Sequence, residues 1–137
     1  MSVFAQLLWG SSLLAICSLL HIASMVGSEL CCVKLAHRRR HLPEGVFSSI
    51  LVTVAVAVLV ASHTVQVWLW AFVLMALGAI HGVSDSVYFA LVTYTTVGYG
   101  DVVLDPEFRV FGAMAAVTGM LAFGLSTASL VATLTRH

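Results

Sequence analysis

The sequence predicts an all-α membrane protein with three spanning helices and one helix too short to span. Three observations carry that reading. Of 137 residues, 61% are hydrophobic and 9% charged, whereas a soluble domain carries about 25% charged residues. Formal charge is absent from residues 3–28, 45–84 and 110–135, and about 20 apolar residues are enough to cross the hydrocarbon core. Between the last two runs lies Thr95-Thr96-Val97-Gly98-Tyr99-Gly100-Asp101, a loop with glycines at alternate positions. Such glycines let a backbone alternate between left- and right-handed conformations and point successive carbonyls one way.

The first span is predicted to begin near residue 3 and to end at about Val33. No basic residue precedes it and Arg38-Arg39-Arg40 follow it, the reverse of a secretory signal peptide, so it reads as a retained helix. Gly10-Ser11-Ser12 and Ala23-Ser24 place small residues where a neighbouring helix can approach. Residues 34–44 hold four of the six basic residues, and short basic loops stay in the cytoplasm. Cys31, Cys32, His37 and His41 gather here too. Their spacing matches no zinc pattern, and interfacial packing is the plainer reading. Three cysteines, two of them adjacent, give no disulfide framework.

Pro43 followed by Glu44 suits the first turn of the next helix. The charge-free stretch from Gly45 to Ser84 is too long for one span and barely enough for two, and Ser62-His63-Thr64 offers no Gly or Pro to turn on. One long tilted helix is predicted over roughly residues 45–73, with an outer turn over 74–83. His21 and His63 fall inside spans. An intramembrane ionisable residue is a functional candidate by default, and a neutral ring bonded to a neighbouring helix is the plain alternative. His63 and Gln66 form a polar patch above Trp68 and Trp70, which read as an interfacial belt.

Ser84 or Asp85 is predicted to cap the short helix over residues 85–95. The last helix is predicted over residues 108–135, after a loop containing Pro106. Within it Gly119 admits two readings, a hinge or a close helix contact.

Over about the last 55 residues the chain resembles potassium channels. Thr95 to Asp101 resembles their selectivity filter, residues 85–95 their pore helix, and Phe123-Gly124-Leu125-Ser126-Thr127-Ala128 the inner helix of two-helix bacterial members. The resemblance implies three transmembrane helices plus a re-entrant pore helix and filter loop, assembled as a fourfold pore. One filter per chain then requires a homotetramer. It implies K+ ions held by the Thr96 hydroxyl and the carbonyls of Thr96, Val97, Gly98 and Tyr99, with Gly100 completing the filter. No organic cofactor is implied. Tyr99 at the third filter position implies K+ over Na+, since nonselective relatives carry Asp there. Thr95 and Asp101 support the filter, Tyr88, Phe89 and Tyr94 form an aromatic cuff, and Gly119 and Thr127 are cavity or gate candidates. The customary acidic partner of Asp101, about nine positions earlier, is Val92 here.

Two domains follow: an added helix with its basic loop over 1–44, and a pore domain over 45–137. The resemblance opens the filter outward at Asp101, so one span between basic loop and filter puts that loop inside. The N-terminus is then outside and the C-terminus cytoplasmic, in the plasma membrane, with lipid and identical copies as partners. Four of the six acidic residues, Asp85, Asp101, Asp105 and Glu107, fall on the outer side and concentrate cations. His81, near them, is a candidate sensor of external pH. No span carries regularly spaced arginines, so no voltage sensor of the usual kind is expected. The short tail past Thr127 predicts no cytoplasmic ligand domain. Two rivals remain, a subunit of a larger transporter and a regulatory membrane protein without a pore. No nucleophile, acid–base pair or phosphate-cradling loop supports an enzyme.

Overall fold

The computed structural model describes residues 1–37 and 43–135. Its elements are four helices: α1 (Val3–His37), α2 (Glu44–Ala76), α3 (Val83–Tyr94) and α4 (Arg109–Thr135). Three of them, α1, α2 and α4, are long and apolar enough to cross a membrane. At about 1.5 Å per residue, the 12 residues of α3 cannot. The predicted all-α membrane architecture is the one the chain adopts.

α2 runs unbroken through Ser62-His63-Thr64, as one helix of 33 residues. It continues a turn past the predicted end because nothing in Phe72–Ala76 breaks it. It stops where Gly78 takes a left-handed φ of +70°. There the Ala79 N–H donates to the Leu74 carbonyl (3.0 Å) and the Gly78 N–H to the Met75 carbonyl (3.0 Å), the paired closure typical of a glycine-ended helix. α3 begins one residue earlier than Ser84, so neither Ser84 nor Asp85 caps it. Gly82, at φ +93°, holds the cap position without a side-chain bond, and Ser84 and Asp85 lie in the first turn.

α1 packs along α4. Its buried stripe is Gln6, Gly10, Leu13, Cys17 and His21, a spacing of three and four residues that keeps one helix face inward. A β-carbon on Gly10 would lie 2.8 Å from Met114 Cγ, so the glycine sets the approach of the two helices. The other small residues of the sequence reading do not: Ser12 and Ser24 turn their hydroxyls to their own helix, at Leu8 and Leu20. At the α4 amino end, Gln6 Oε1 accepts from the N–H groups of Val110 (3.0 Å) and Phe111 (3.3 Å). These are helix-start donors with no partner of their own helix. The Met1 ammonium meets Glu107 at 2.8 Å, which holds that carboxyl below its usual range. The start of α1, the start of α4 and the loop between α3 and α4 therefore share one end of the molecule.

The core lies among all four helices, around Cys17, Trp70, Leu74, Ala90, Tyr94, Phe111 and Ala115. Trp70 is not part of an interfacial belt. It is fully buried and packs on Phe111 with ring centroids 5.2 Å apart, while Trp68 is half exposed. Residues two apart on a helix face nearly opposite ways, so the pair divides between core and surface. Further down, Cys32 joins Phe47 and Leu51 in a small separate cluster, while Cys31 is exposed. His41, the side chain of His37 and Arg38-Arg39-Arg40 lie outside the described residues. Among the described residues no three metal-binding side chains gather.

Candidate functional site

The predicted filter loop leaves the carboxyl end of α3. Thr95 closes the helix: its N–H donates to the Leu91 carbonyl at 3.0 Å, and its hydroxyl donates to the same oxygen at 2.7 Å. The N–H groups of Val97 (3.0 Å) and Gly98 (3.2 Å) both reach the Val92 carbonyl. These bonds satisfy the Leu91 and Val92 carbonyls of the last turn and fix the direction in which the loop departs.

Beyond that point the backbone alternates. Thr96, Gly98 and Gly100 take φ of +62°, +56° and +78°, whereas Val97 and Tyr99 between them stay out of that region. The glycines were legible as such positions. Thr96 was not, because a β-branched residue at positive φ is unusual. All of Thr96–Gly100 is exposed in the single chain, with Val97 at 53% and Tyr99 at 73%.

Asp101 follows directly. Its Oδ2 accepts from the Tyr88 hydroxyl at 2.6 Å, and its Oδ1 accepts from the Val102 N–H at 3.1 Å. The Tyr88 bond holds this carboxyl below the usual carboxylate range. Sequence reasoning found Val92 where an acidic partner was expected and stopped there. The structure supplies a phenol instead, from the amino-terminal half of α3. Within the chain the three aromatics of the expected cuff part company. Tyr88 goes to Asp101, Phe89 lies against Gly112, and Tyr94 turns into the core.

Gly119 lies under the base of the loop. A β-carbon there would collide with the backbone carbonyl of Tyr94, so α4 passes the last residue of α3 at the closest range a helix allows. Thr127 sits two turns further on, exposed, with its hydroxyl on the Phe123 carbonyl at 2.9 Å.

Beside the same turn lies a buried polar cluster that joins all four helices. His21 of α1 is fully buried. Its Nδ1 is 3.0 Å from Ser62 Oγ and 3.1 Å from Gln66 Nε2, and its Nε2 is 3.0 Å from Ser126 Oγ. His63 of α2 places Nε2 3.0 Å from the same Ser126 Oγ and Nδ1 2.9 Å from the Tyr94 hydroxyl. The two imidazole centroids are 5.1 Å apart, and His63 stacks on Phe123 at 4.6 Å. The sequence marked His21 and His63 singly, and paired His63 with Gln66. Nothing in it joined residues 105 positions apart, as His21 and Ser126 are.

No curated protein and no solved structure matches the chain. Residues 49–136, which take in most of α2, all of α3, the loop and α4, match the family model described as ion channel, and the chain belongs to that family.

Proposed function

We propose that the chain is the subunit of a potassium-selective channel, in which four identical copies surround one pore. The observation that carries this reading is the alternation of φ at Thr96, Gly98 and Gly100, in a loop held at the carboxyl end of a helix too short to cross a membrane. Alternation aligns the carbonyls of Thr96, Val97, Gly98 and Tyr99 as a column of oxygens, and with the Thr96 hydroxyl they replace the water shell of K+. A single column is open on one side. The exposure of Val97 and Tyr99 fits further copies around it, and cyclic symmetry supplies them. The negative end of α3 stabilises a cation in the water-filled cavity below.

On this reading residues 45–137 are the pore domain and 1–44 an added lipid-facing helix with its basic loop. The acidic loop of Asp101, Asp105 and Glu107 sits at the end of the molecule where α1 begins. Putting it outside, and the basic residues after α1 inside a plasma membrane, satisfies the positive-inside rule. Thr95 and Asp101 then hold the filter, exposed Thr127 lies along the ion path below it, and Gly119, the other cavity or gate candidate, is turned to α3 instead, where it seats α4 against Tyr94.

The test is flux through purified protein in liposomes, with K+ and Na+ gradients compared and crosslinking to count subunits. K+ flux should far exceed Na+ flux in a tetramer, and Tyr99→Asp should make the two comparable. A confirmed tetramer with equal fluxes overturns the selectivity, and a monomer or dimer overturns the pore.

A further inference from the structure

The side-chain hydrogen bonds from Gln66 to Tyr94 form a chain whose direction is set at one end. Gln66 Nε2 lies 3.3 Å from the Ser62 carbonyl oxygen and 3.1 Å from His21 Nδ1. An amide oxygen in that place would repel the Ser62 carbonyl, so the nitrogen stays and donates, and His21 Nδ1 is an acceptor. His21 therefore carries its proton on Nε2 and donates to Ser126 Oγ. The Ser126 hydroxyl donates to His63 Nε2, and His63 Nδ1–H donates to the Tyr94 oxygen.

One nitrogen along this chain takes a further proton without loss of a partner, and that is His63 Nε2. Once protonated it donates to Ser126 Oγ. A hydroxyl oxygen has two lone pairs and accepts from both rings, while its own hydrogen turns to the carbonyl one helical turn back. His21 is worse placed: a proton on its Nδ1 has the Ser62 hydroxyl as an acceptor at 3.0 Å, but it sets that N–H against the Gln66 N–H that now donates to the same nitrogen. Burial separates the rings in the same sense. His21 is sealed, whereas His63 lines a cavity of about 400 Å³ with Thr64, Tyr94, Thr95 and Phe123.

We propose that His63 is a proton-binding site, with His21 kept neutral by Gln66, and that the bound proton competes with the permeating cation for the negative end of α3. The last clause rests on the channel reading. The titratable groups that face His63 are His21 of α1, with Cys17 of α1 beyond it beside Tyr94, and Tyr94 of α3. α4 presents Ser126 and Phe123, and α2 itself adds Ser62 and Gln66. None of these is a carboxylate. The charge on His63 is therefore offset by the last turn of α3, whose final residue, Tyr94, it touches. A helix carboxyl end carries about half a negative charge. That partial charge is the one assigned above to the cation in the cavity, so a proton on His63 weakens the hold on K+. A second proton, on His21 about 5.1 Å away, would bind about 200-fold more weakly at an effective dielectric of 20.

The experiment uses the full chain with His37, His41, His81 and His137 changed to Gln, 15N-labelled at histidine, in K+-loaded liposomes from pH 8 to 4.5. Solid-state NMR should show one of the two rings becoming imidazolium. His63→Phe should remove that signal, and the His21 ring should stay neutral with its proton on Nε2. Two neutral rings across the range, or His21 charging first, overturn the proposal. Gln66→Leu leaves both rings, Ser62 and Ser126 in place and removes the amide donor from His21 Nδ1, so that a proton there can go to Ser62 Oγ. The charge should then be shared between the rings, and an unchanged spectrum overturns the role of Gln66. In the same vesicles the ratio of K+ flux at pH 8 to that at pH 5 should be about two to ten, and close to one in His63→Phe. A titrating ring with a flat flux profile overturns the competition. No flux at any pH from a confirmed tetramer defeats the conduction reading instead, and the ring spectra still decide the proton site.

Discussion

Two neighbouring regions of this molecule are built on opposite principles. The loop Thr96–Gly100 is a backbone device: exposed, contiguous and defined by φ angles at alternate residues. The cluster beneath it is a side-chain device. It is buried and assembled from His21, Ser62, His63, Gln66, Tyr94 and Ser126, which come from all four helices. They meet at the end of α3, where Tyr94 is the last helical residue and Thr95 alone separates it from the loop. A backbone device depends on which residues tolerate a conformation. A side-chain device depends on which residues meet. In a membrane the second also holds helices together, because burial from lipid supplies no hydrophobic drive between them.

The comparison breaks hardest at Gly98. Alanine there must adopt a φ of +56°, at a cost of about 1–2 kcal/mol per chain. Four copies in the proposed pore multiply that cost, so Gly98→Ala should abolish selective K+ flux in the liposome assay while the tetramer persists on crosslinking. Next comes the contact between the two regions. Gly119→Ala puts a methyl group into the Tyr94 carbonyl and should destabilise the fold by about 1–3 kcal/mol, read from denaturant unfolding in detergent. A gentler cut is Tyr94→Phe. It deletes one hydrogen bond to His63, worth about 0.6 kcal/mol between membrane helices. The same unfolding curve should barely move. If Tyr94→Phe costs as much as Gly119→Ala, the cluster rather than the backbone contact holds the base of the loop.

The smallest effect lies at Asp101. Its carboxyl is held below the usual range by the Tyr88 hydroxyl, so the bond is complete at neutral pH and is lost only as pH falls through that lowered value. In Tyr88→Phe the carboxyl should return towards about 3.9, the ordinary aspartate value, and protonate at higher pH than in the wild type. A 13C titration of the Asp101 carboxyl reads this directly.

What the sequence made legible follows the same division. The three spans were visible as charge-free runs, and α2 as a single helix because Ser62-His63-Thr64 offered no break. The loop was visible because its residues are adjacent. Trp70, the Asp101–Tyr88 bond and the histidine cluster were not. Each depends on which way a helix face turns, or on partners brought together by packing. Tyr88 and Asp101 are 13 residues apart on separate elements, a distance at which spacing carries no signal. The start of α3 was misplaced for a local reason: Gly82 at φ +93° ends the turn two residues before the polar pair that looked like a cap.

The amide of Gln6 carries a consequence for how the protein is made. Its oxygen is the acceptor for two of the first N–H groups of α4, and such groups have few other acceptors near the hydrocarbon. α1 leaves the ribosome before α4. The helix made earlier thus brings the acceptor that the later one needs. A chain begun at α2 would insert its final helix with that end unsealed. Loss of α1 should therefore appear first as slow or faulty insertion of α4 rather than as altered permeation.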